Sequence, residues 1–229
     1  MKKMYRMGIA TLTACIFIVF MIRCIDDDHA DPGPVCYVSL YNASPNAPDL
    51  DIIVDDEKIN TVPFDYGLNT GYLVFSSGSR NLKFGPYGGS VITIDTLLTL
   101  DTDKNYSIFV VDEFEKASIL RMFDDPTAPA SGNARVRFLN LSPDSEPLQL
   151  KIKDVAVPLT SGQSFADPSN FMDLEAKSYI FEITSGGIVV DELPNTQIQS
   201  GMFYTIIVRG YVTPPADNTN VLSGEVIPN

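Results

Sequence analysis

Short stretches in which every second residue is apolar recur along the chain after residue 34. Residues 36–41 and residues 50–54 alternate in this way, which is the pattern of a strand that buries one face. Residues 106–111 are also typical of a strand. Turn-forming residues separate such stretches at intervals of about 8–12 residues, and none shows convincing helical periodicity. The pattern therefore predicts an all-β sandwich architecture.

The same pattern occurs a second time, 98 residues further along the chain. Tyr-Val-Ser-Leu-Tyr-Asn-Ala-Ser-Pro-Asn at 37–46 is matched by Arg-Val-Arg-Phe-Leu-Asn-Leu-Ser-Pro-Asp at 135–144. At this spacing the apolar positions of 50–54 are matched within 148–152. Because the apolar positions of the two copies match, we expect both copies to bury equivalent strand faces. We therefore predict two similar β-domains.

The alternation also predicts which side chains form the second core. We expect Val136, Phe138, Leu148 and Leu150 to be buried, and Arg137 to face water. In the first copy we expect residues 72–75 and 82–84 to form a hairpin around the Ser-Ser-Gly-Ser loop at 76–79. Residues 119–123 and 220–227 are predicted to be edge strands.

Each copy runs from its first strand into Asn-x-Ser-Pro followed by Asn or Asp. The proline removes a backbone donor and ends the strand, and the polar side chains can close a turn by bonding to the local backbone. These turns are our candidate binding loops, although they could equally serve only to shape the backbone. The residues concerned are Ser44, Pro45, Asn46, Ser142, Pro143 and Asp144.

The motif at 135–144, with the linker Asp-Asp-Pro-Thr-Ala-Pro-Ala-Ser-Gly at 124–132, resembles the bacterial extracytoplasmic domain family of unknown function 4397. The resemblance covers about residues 35–213. It implies β-sandwich modules of cell-surface proteins, of the immunoglobulin-like or prealbumin-like type. The family brings no established activity and no catalytic residues.

The first residues resemble a bacterial lipoprotein signal. Basic residues at 2, 3 and 6 precede an apolar run at 7–22, and Arg23-Cys24 follows. We expect Cys24 to carry the lipid, although Arg23 stands where a small residue is usual. Cleavage before Cys15 would leave an apolar segment behind, and an uncleaved membrane anchor is the other alternative.

The three acidic residues that follow Cys24 are Asp26, Asp27 and Asp28. They resemble the export signal of surface-exposed lipoproteins in Bacteroidota-type bacteria. This resemblance implies an outer-membrane protein held at the cell surface by its lipid, with a periplasm-facing position as the alternative. The predicted organisation is a signal peptide at 1–23, an acidic flexible tether at 24–34, a first β-sandwich at 35–123, a linker at 124–133 and a second β-sandwich at 134–229.

Charge narrows the range of partners. Removal of residues 1–23 leaves twelve basic and twenty-nine acidic residues, a net charge of −17. Such a chain repels phosphate backbones, so we expect no nucleic-acid binding. A basic or cation-bridged macromolecule of the envelope or of the extracellular space suits this charge.

Few residues carry catalytic chemistry. The only histidine, His29, lies in the tether, and Cys36 is expected to be a buried thiol without a disulfide partner. The abundant carboxylates near strand ends, such as Asp49, Asp51 and Asp103, could hold a structural calcium ion. We prefer the interpretation that these carboxylates lie on acidic faces exposed to solvent. We expect no catalytic activity, no cofactor and no metal.

Five tyrosines of the first copy are candidates for stacking on sugars or peptides, or for ordinary cross-strand packing, which we prefer. They are Tyr37, Tyr41, Tyr66, Tyr72 and Tyr87. The sequence thus predicts a non-catalytic cell-surface lipoprotein that acts as a binding or adhesion module for an unknown ligand. A structural spacer or an accessory subunit of an envelope assembly is the alternative.

Overall fold

A computed structural model describes residues 33–229 and shows an all-β chain. The predicted signal peptide, Cys24, the aspartates at 26–28 and most of the tether lie outside the described residues. The first eight strands are β1 (Val35–Asn42), β2 (Leu50–Val54), β3 (Glu57–Lys58), β4 (Asn69–Ser76), β5 (Gly78–Pro86), β6 (Ile94–Leu100), β7 (Asn105–Val111) and β8 (Ser118–Phe123). A short 3₁₀ turn, Phe114–Lys116, precedes β8.

The remaining strands are β9 (Asn133–Asn140), β10 (Leu148–Ile152), β11 (Met172–Glu175), β12 (Ser178–Ser185), β13 (Ile188–Gln197), β14 (Phe203–Arg209) and β15 (Ser223–Pro228). Within residues 33–229 no helix is long and apolar enough to cross a membrane.

Four sheets form two sandwiches with the same plan. In the first sandwich the strand orders are β4-β1-β7-β8 and β3-β2-β5-β6. In the second they are β11-β9-β14-β15 and β10-β12-β13. In both, the strand that ends in the Asn-x-Ser-Pro motif pairs in parallel with a later apolar strand, β7 or β14.

Period-two alternation fills the two cores as predicted. Val136, Phe138, Leu148 and Leu150 are all buried in the second core. Cys36 is buried in the first core, and it forms no disulfide with any part of the chain that the structure describes. Burial of one full strand face in each sheet supplies the main driving force for the fold. The predicted edge positions of β8 and β15 are confirmed.

The predicted hairpin of the first copy is wrong. Strands β4 and β5 are separated by one residue, Ser77, yet β4 pairs with β1 and β5 pairs with β2 and β6. The chain crosses from one sheet to the other at this point, where Gly78 has a φ of 97°. A Ser-Gly turn signal alone does not distinguish a hairpin from such a crossover, because both need a residue with positive φ.

A third apolar core joins the two sandwiches face to face. It packs the outer side of the β4-β1-β7-β8 sheet against the outer side of the β11-β9-β14-β15 sheet. Its members come from both repeats: Tyr41, Ala43, Phe109, Val111, Met122, Leu139, Leu141, Ile207 and Ile227. Equivalent positions of the two repeats, such as Phe109 and Ile207, both belong to this core. Residues 33–229 consequently form one compact four-layered unit.

The expected exposure of Arg137 is also wrong. Its side chain is only 4% exposed and forms an ion pair with Asp124, itself buried, between the sandwiches. Arg137 Nε also donates to Thr205 at 2.9 Å, and its guanidinium lies over the ring of Phe171. The position faces away from the core of its own repeat, as the alternation requires, but the first repeat covers that face.

Candidate functional site

The asparagine of each motif is a buried clip that holds the loop behind it. Asn140 donates from Nδ2 to the carbonyl of Gln163 at 3.2 Å, and its Oδ1 accepts from Ser142 N at 3.0 Å. Asn42 makes the equivalent bonds to Phe64 and Ser44 at 3.1 and 3.2 Å. The asparagine therefore satisfies buried backbone groups that the ended strand leaves open.

Much of the two candidate loops is buried. Ser44, Pro45 and Ser142 are buried, whereas Asn46 and Pro143 are half-buried and Asp144 is exposed. The Pro45 carbonyl accepts from Asn218 at 2.8 Å and from Asn220 at 2.6 Å, both in the second repeat. The first loop is thus partly covered by the other repeat.

The residue after each Ser-Pro ties its loop to a neighbouring loop. Asn46 Oδ1 accepts from Phe114 N at 2.7 Å, and Asp144 Oδ1 accepts from Val212 N at 2.8 Å. The second oxygen of Asp144 accepts from Thr213 N at 2.9 Å. The contact is the same in both repeats, but only the second repeat makes it with a charged residue.

These contacts bring four loops together at one end of the unit: 44–49, 112–117, 142–147 and 210–222. We call this surface the acidic loop end. Its loops contain one basic residue, Lys116, and seven acidic residues, Asp49, Asp112, Glu113, Glu115, Asp144, Glu146 and Asp217. The uncompensated charge creates a negative potential that attracts cationic groups.

Tyr211 lies at the centre of the acidic loop end. It is only 2% exposed, and its hydroxyl has no hydrogen-bond partner among the described residues. Burial raises the pKa of Tyr211, and the nearby carboxylates of Glu113 and Glu115 raise it further. The phenol therefore stays protonated at neutral pH, and its O–H remains available as a donor. A partner that accepted this hydrogen bond would relieve the cost of an unsatisfied buried group, about 1–3 kcal/mol.

A pocket of about 340 Å³ opens beside the second candidate loop. Asp144, Ser145 and Glu146 form one wall, and the end of the β12–β13 hairpin and the 211–222 loop form the others. The apolar lining consists of Leu148, Val190, Val212, Val221 and Leu222. Such a concave surface with an apolar lining and polar groups on one wall is suited to binding rather than to bond-breaking chemistry.

Several carboxylates near strand ends, among them the calcium candidate Asp51, have basic partners. Asp51, Asp55 and Asp56 form ion pairs with Lys58, Arg80 and Lys83, respectively. In the described part of the chain, no three histidine, cysteine, aspartate or glutamate side chains are grouped so that they could hold a metal ion.

Four of the five tyrosines considered for stacking have other partners. Tyr41 belongs to the core between the sandwiches, and Tyr72 donates to Asp124. Cationic groups lie over the other two rings, the guanidinium of Arg209 over Tyr66 and Lys58 Nζ over Tyr87. Tyr37 remains 40% exposed. Tyr211 was not a sequence candidate, because it lies beyond the repeated strands and no pattern marks it.

Comparison with known proteins identifies a family and distant structural likenesses. No curated protein matches the chain significantly. Among solved structures, a family 41 carbohydrate-binding module from streptococcal virulence factors, reported for alpha-glucan recognition, is 18% identical to the chain. The match covers 78% of this chain and 94% of that one with a TM-score of 0.25, too low to bear on function.

The family result concerns residues 36–151, which match the domain of unknown function DUF4397. This stretch comprises 116 of the 229 residues and includes both Asn-x-Ser-Pro motifs. It spans β1 to β8 and continues through β9 into β10. Because the match covers just over half of the chain, this protein belongs to the DUF4397 family.

Proposed function

We propose that this protein is a non-catalytic binding module, held at the bacterial cell surface by a lipid on Cys24. The observation that carries the proposal is the acidic loop end, where loops of both repeats are fixed by backbone contacts around an uncompensated negative charge. Rigid scaffolds that hold loops in place favour recognition, because little entropy is lost when a partner binds. The partner is a basic or cation-bridged macromolecule of the envelope or of the extracellular space.

The absence of catalysis rests on the residue types available. Residues 33–229 contain no histidine, and the thiol of Cys36 is buried in the first core. Burial raises the pKa of this thiol, which keeps it protonated and unreactive.

A charge-reversal experiment tests the binding function. Glu115→Lys with Asp217→Lys alters two exposed residues of the acidic loop end, and Glu57→Lys with Glu175→Lys makes the same change in net charge elsewhere. We expect the first pair to lose partners that wild type recovers from envelope extracts, identified by mass spectrometry, and the second pair to retain them. Equal recovery by both pairs would contradict the proposal.

The structural spacer is the second candidate, and the apolar core between the sandwiches favours it. That core makes residues 33–229 a stiff unit, as a spacer requires. A spacer would keep its assembly partners when the charge of the acidic loop end is reversed. It would lose function when its length changes.

The anchor has its own test. Cys24→Ala should abolish labelling by a fatty-acid analogue and release the protein from membranes. Replacement of the aspartates at 26–28 by alanine should leave the protein acylated but protected from external protease. Continued protease access in the second variant would rule out their role in export.

A further inference from the structure

We infer that the pocket beside the second candidate loop takes an aliphatic side chain of a partner polypeptide, with a lysine or arginine next to it in sequence. We call it the valine pocket, after Val190, Val212 and Val221 in its lining. The inference rests on the proposed binding function and adds the chemistry of the partner. Recognition of the aliphatic group alone, without a neighbouring cation, is an outcome of the test.

The apolar side chains that line the valine pocket are partly exposed to solvent. Val190, Val212 and Val221 are 41%, 54% and 61% exposed. These three β-branched side chains around one cavity form an apolar patch of the kind that marks interaction sites. Burial of one valine side chain contributes about 1.5 kcal/mol or more, so an aliphatic occupant has a clear gain.

One wall of the valine pocket, formed by the second candidate loop, is negatively charged. Asp144 and Glu146 line the pocket, no basic residue does, and neither carboxylate forms an ion pair with any described residue. Asp112 and Glu115 lie close enough to affect Tyr211, which also lines the pocket. A cation beside the aliphatic group therefore meets an uncompensated negative field.

The first repeat shows that the fold does not require these charges. Asn46 occupies the position equivalent to Asp144 and makes the same bond to a backbone N–H, and Pro48 stands where the second repeat has Glu146. Packing and loop closure are satisfied without a carboxylate. The acidic wall is therefore a property of the second repeat alone, and it makes the two loop regions unequal as binding surfaces.

The test uses three short synthetic peptides in which residues alternate: lysine with valine, glutamate with valine, and lysine with serine. Binding to the full chain is followed by the methyl NMR signals of valine, leucine and isoleucine. We expect the lysine–valine peptide to shift the signals of Val190, Val212 and Val221 and to bind more weakly at high salt. We expect the other two peptides to bind at least about tenfold more weakly, since each lacks one half of the recognition.

Substitutions in the chain test whether the lysine–valine peptide binds in the valine pocket. Glu146→Gln removes one charge and should weaken the lysine–valine peptide by about threefold, within the range for a partly exposed ion pair. Val190→Ser should weaken it by about tenfold. The matched control is Ile92→Ser, at the equivalent position of the first repeat, which is also 41% exposed and should leave affinity unchanged. Asp144 is left intact because it holds the backbone of Val212 and Thr213.

Three results would overturn the inference: no binding of the lysine–valine peptide, equal binding of the glutamate–valine peptide, or equal losses from Val190→Ser and Ile92→Ser. Failure here is distinguishable from failure of the proposed function. If envelope partners are lost on Glu115→Lys with Asp217→Lys but kept on Val190→Ser, the acidic loop end binds and the valine pocket does not.

Discussion

Single side chains decide how the two motifs work, and the asparagine is the clearest case. Asn42 and Asn140 are fully buried, and each bonds to one backbone N–H and one carbonyl across the loop it closes. A shorter apolar side chain would leave the buried backbone N–H without its acceptor. The carbonyls would still accept from other backbone N–H groups, Leu148 N on Gln163 and Leu50 N on Phe64.

We therefore expect Asn140→Ala to lower the free energy of unfolding by about 1–3 kcal/mol, the cost of an unsatisfied buried group. Urea unfolding monitored by tyrosine fluorescence measures this change. Asn170→Ala, at an exposed position, is the control and should change the free energy by less than about 0.5 kcal/mol. Similar losses in both variants would show that the clip does not stabilise the fold.

The buried ion pair between Arg137 and Asp124 should respond differently to single and to double substitution. Arg137→Ala leaves the carboxylate of Asp124 buried without its cation and should cost about 3–5 kcal/mol. The double variant Arg137→Met, Asp124→Asn removes both charges and should recover most of that loss. The free energy of unfolding of both variants is measured by urea unfolding. A double variant no more stable than Arg137→Ala would contradict this expectation.

Tyr41 gives a pH dependence with a definite sign. Burial raises its pKa, and the hydrogen bond that it donates to Glu225 at 2.6 Å raises it further. An unfolded tyrosine has a pKa of about 10, so the stability from the neutral phenol is fully present below pH ~10. It is lost as pH rises from there through the higher pKa of the folded state.

Above pH ~10, wild type should lose about 1.4 kcal/mol more per pH unit than Tyr41→Phe, because this phenol ionises in the unfolded chain only. The free energy of unfolding is measured in urea at several pH values between about 8 and 11, a range that spans the pKa of ~10 of an unfolded tyrosine. Val74→Ala, at an exposed position, removes no phenol, so it is the control and should keep the wild-type slope. Parallel curves for wild type and Tyr41→Phe would refute the expectation.

At the scale of elements, the strand faces follow from the alternation, and the connections do not. The β4–β5 step shows this, because neighbouring strands in sequence belong to different sheets. The end of β14 is a second case. Gly210 has a φ of 84°, and a Cβ at this position would lie 2.4 Å from the backbone oxygen of Val221. This close approach of two backbones positions Tyr211 and the valine pocket.

Gly210→Ala should therefore be more harmful than an ordinary substitution of a glycine with positive φ. Gly186 is the matched control, since its φ is 56° and nothing lies within 4 Å of an added Cβ. We expect about 1 kcal/mol of destabilisation from Gly186→Ala and at least about twice that from Gly210→Ala. Thermal unfolding measures both, and equal values would show that the close approach does not matter.

At the scale of the whole molecule, the apolar core between the sandwiches makes two repeats behave as one unit. Leu139 and Ile207 are fully buried there, facing the first repeat rather than their own core. Each repeat nevertheless has its own core and is not built from strands of the other.

We therefore expect one calorimetric unfolding transition for wild type and two for Ile207→Asp, which places a charge in the shared core. The lower transition should fall clearly below that of wild type. Leu97→Asp, at a position 71% exposed, is the control and should keep a single transition. A single transition in Ile207→Asp, merely lowered, would mean that neither repeat is stable alone.

The alternation of apolar and polar residues was enough to predict the fold class, the buried face of the strands that it marks and the match between the two copies. These are local properties, since period-two alternation fixes which side chains share a face whatever the strand packs against. Val136 and Phe138 are predicted correctly for this reason.

What covers the outer faces of the strands depends on how the two sandwiches pack against each other. Arg137 follows the alternation and points away from its own core, yet it is buried, because the first repeat lies over it. Tyr211 and Val221 meet at the acidic loop end although no local pattern marks either residue. Packing between residues far apart in sequence is set by the shapes and charges of whole surfaces, and a period along the chain carries no information about it.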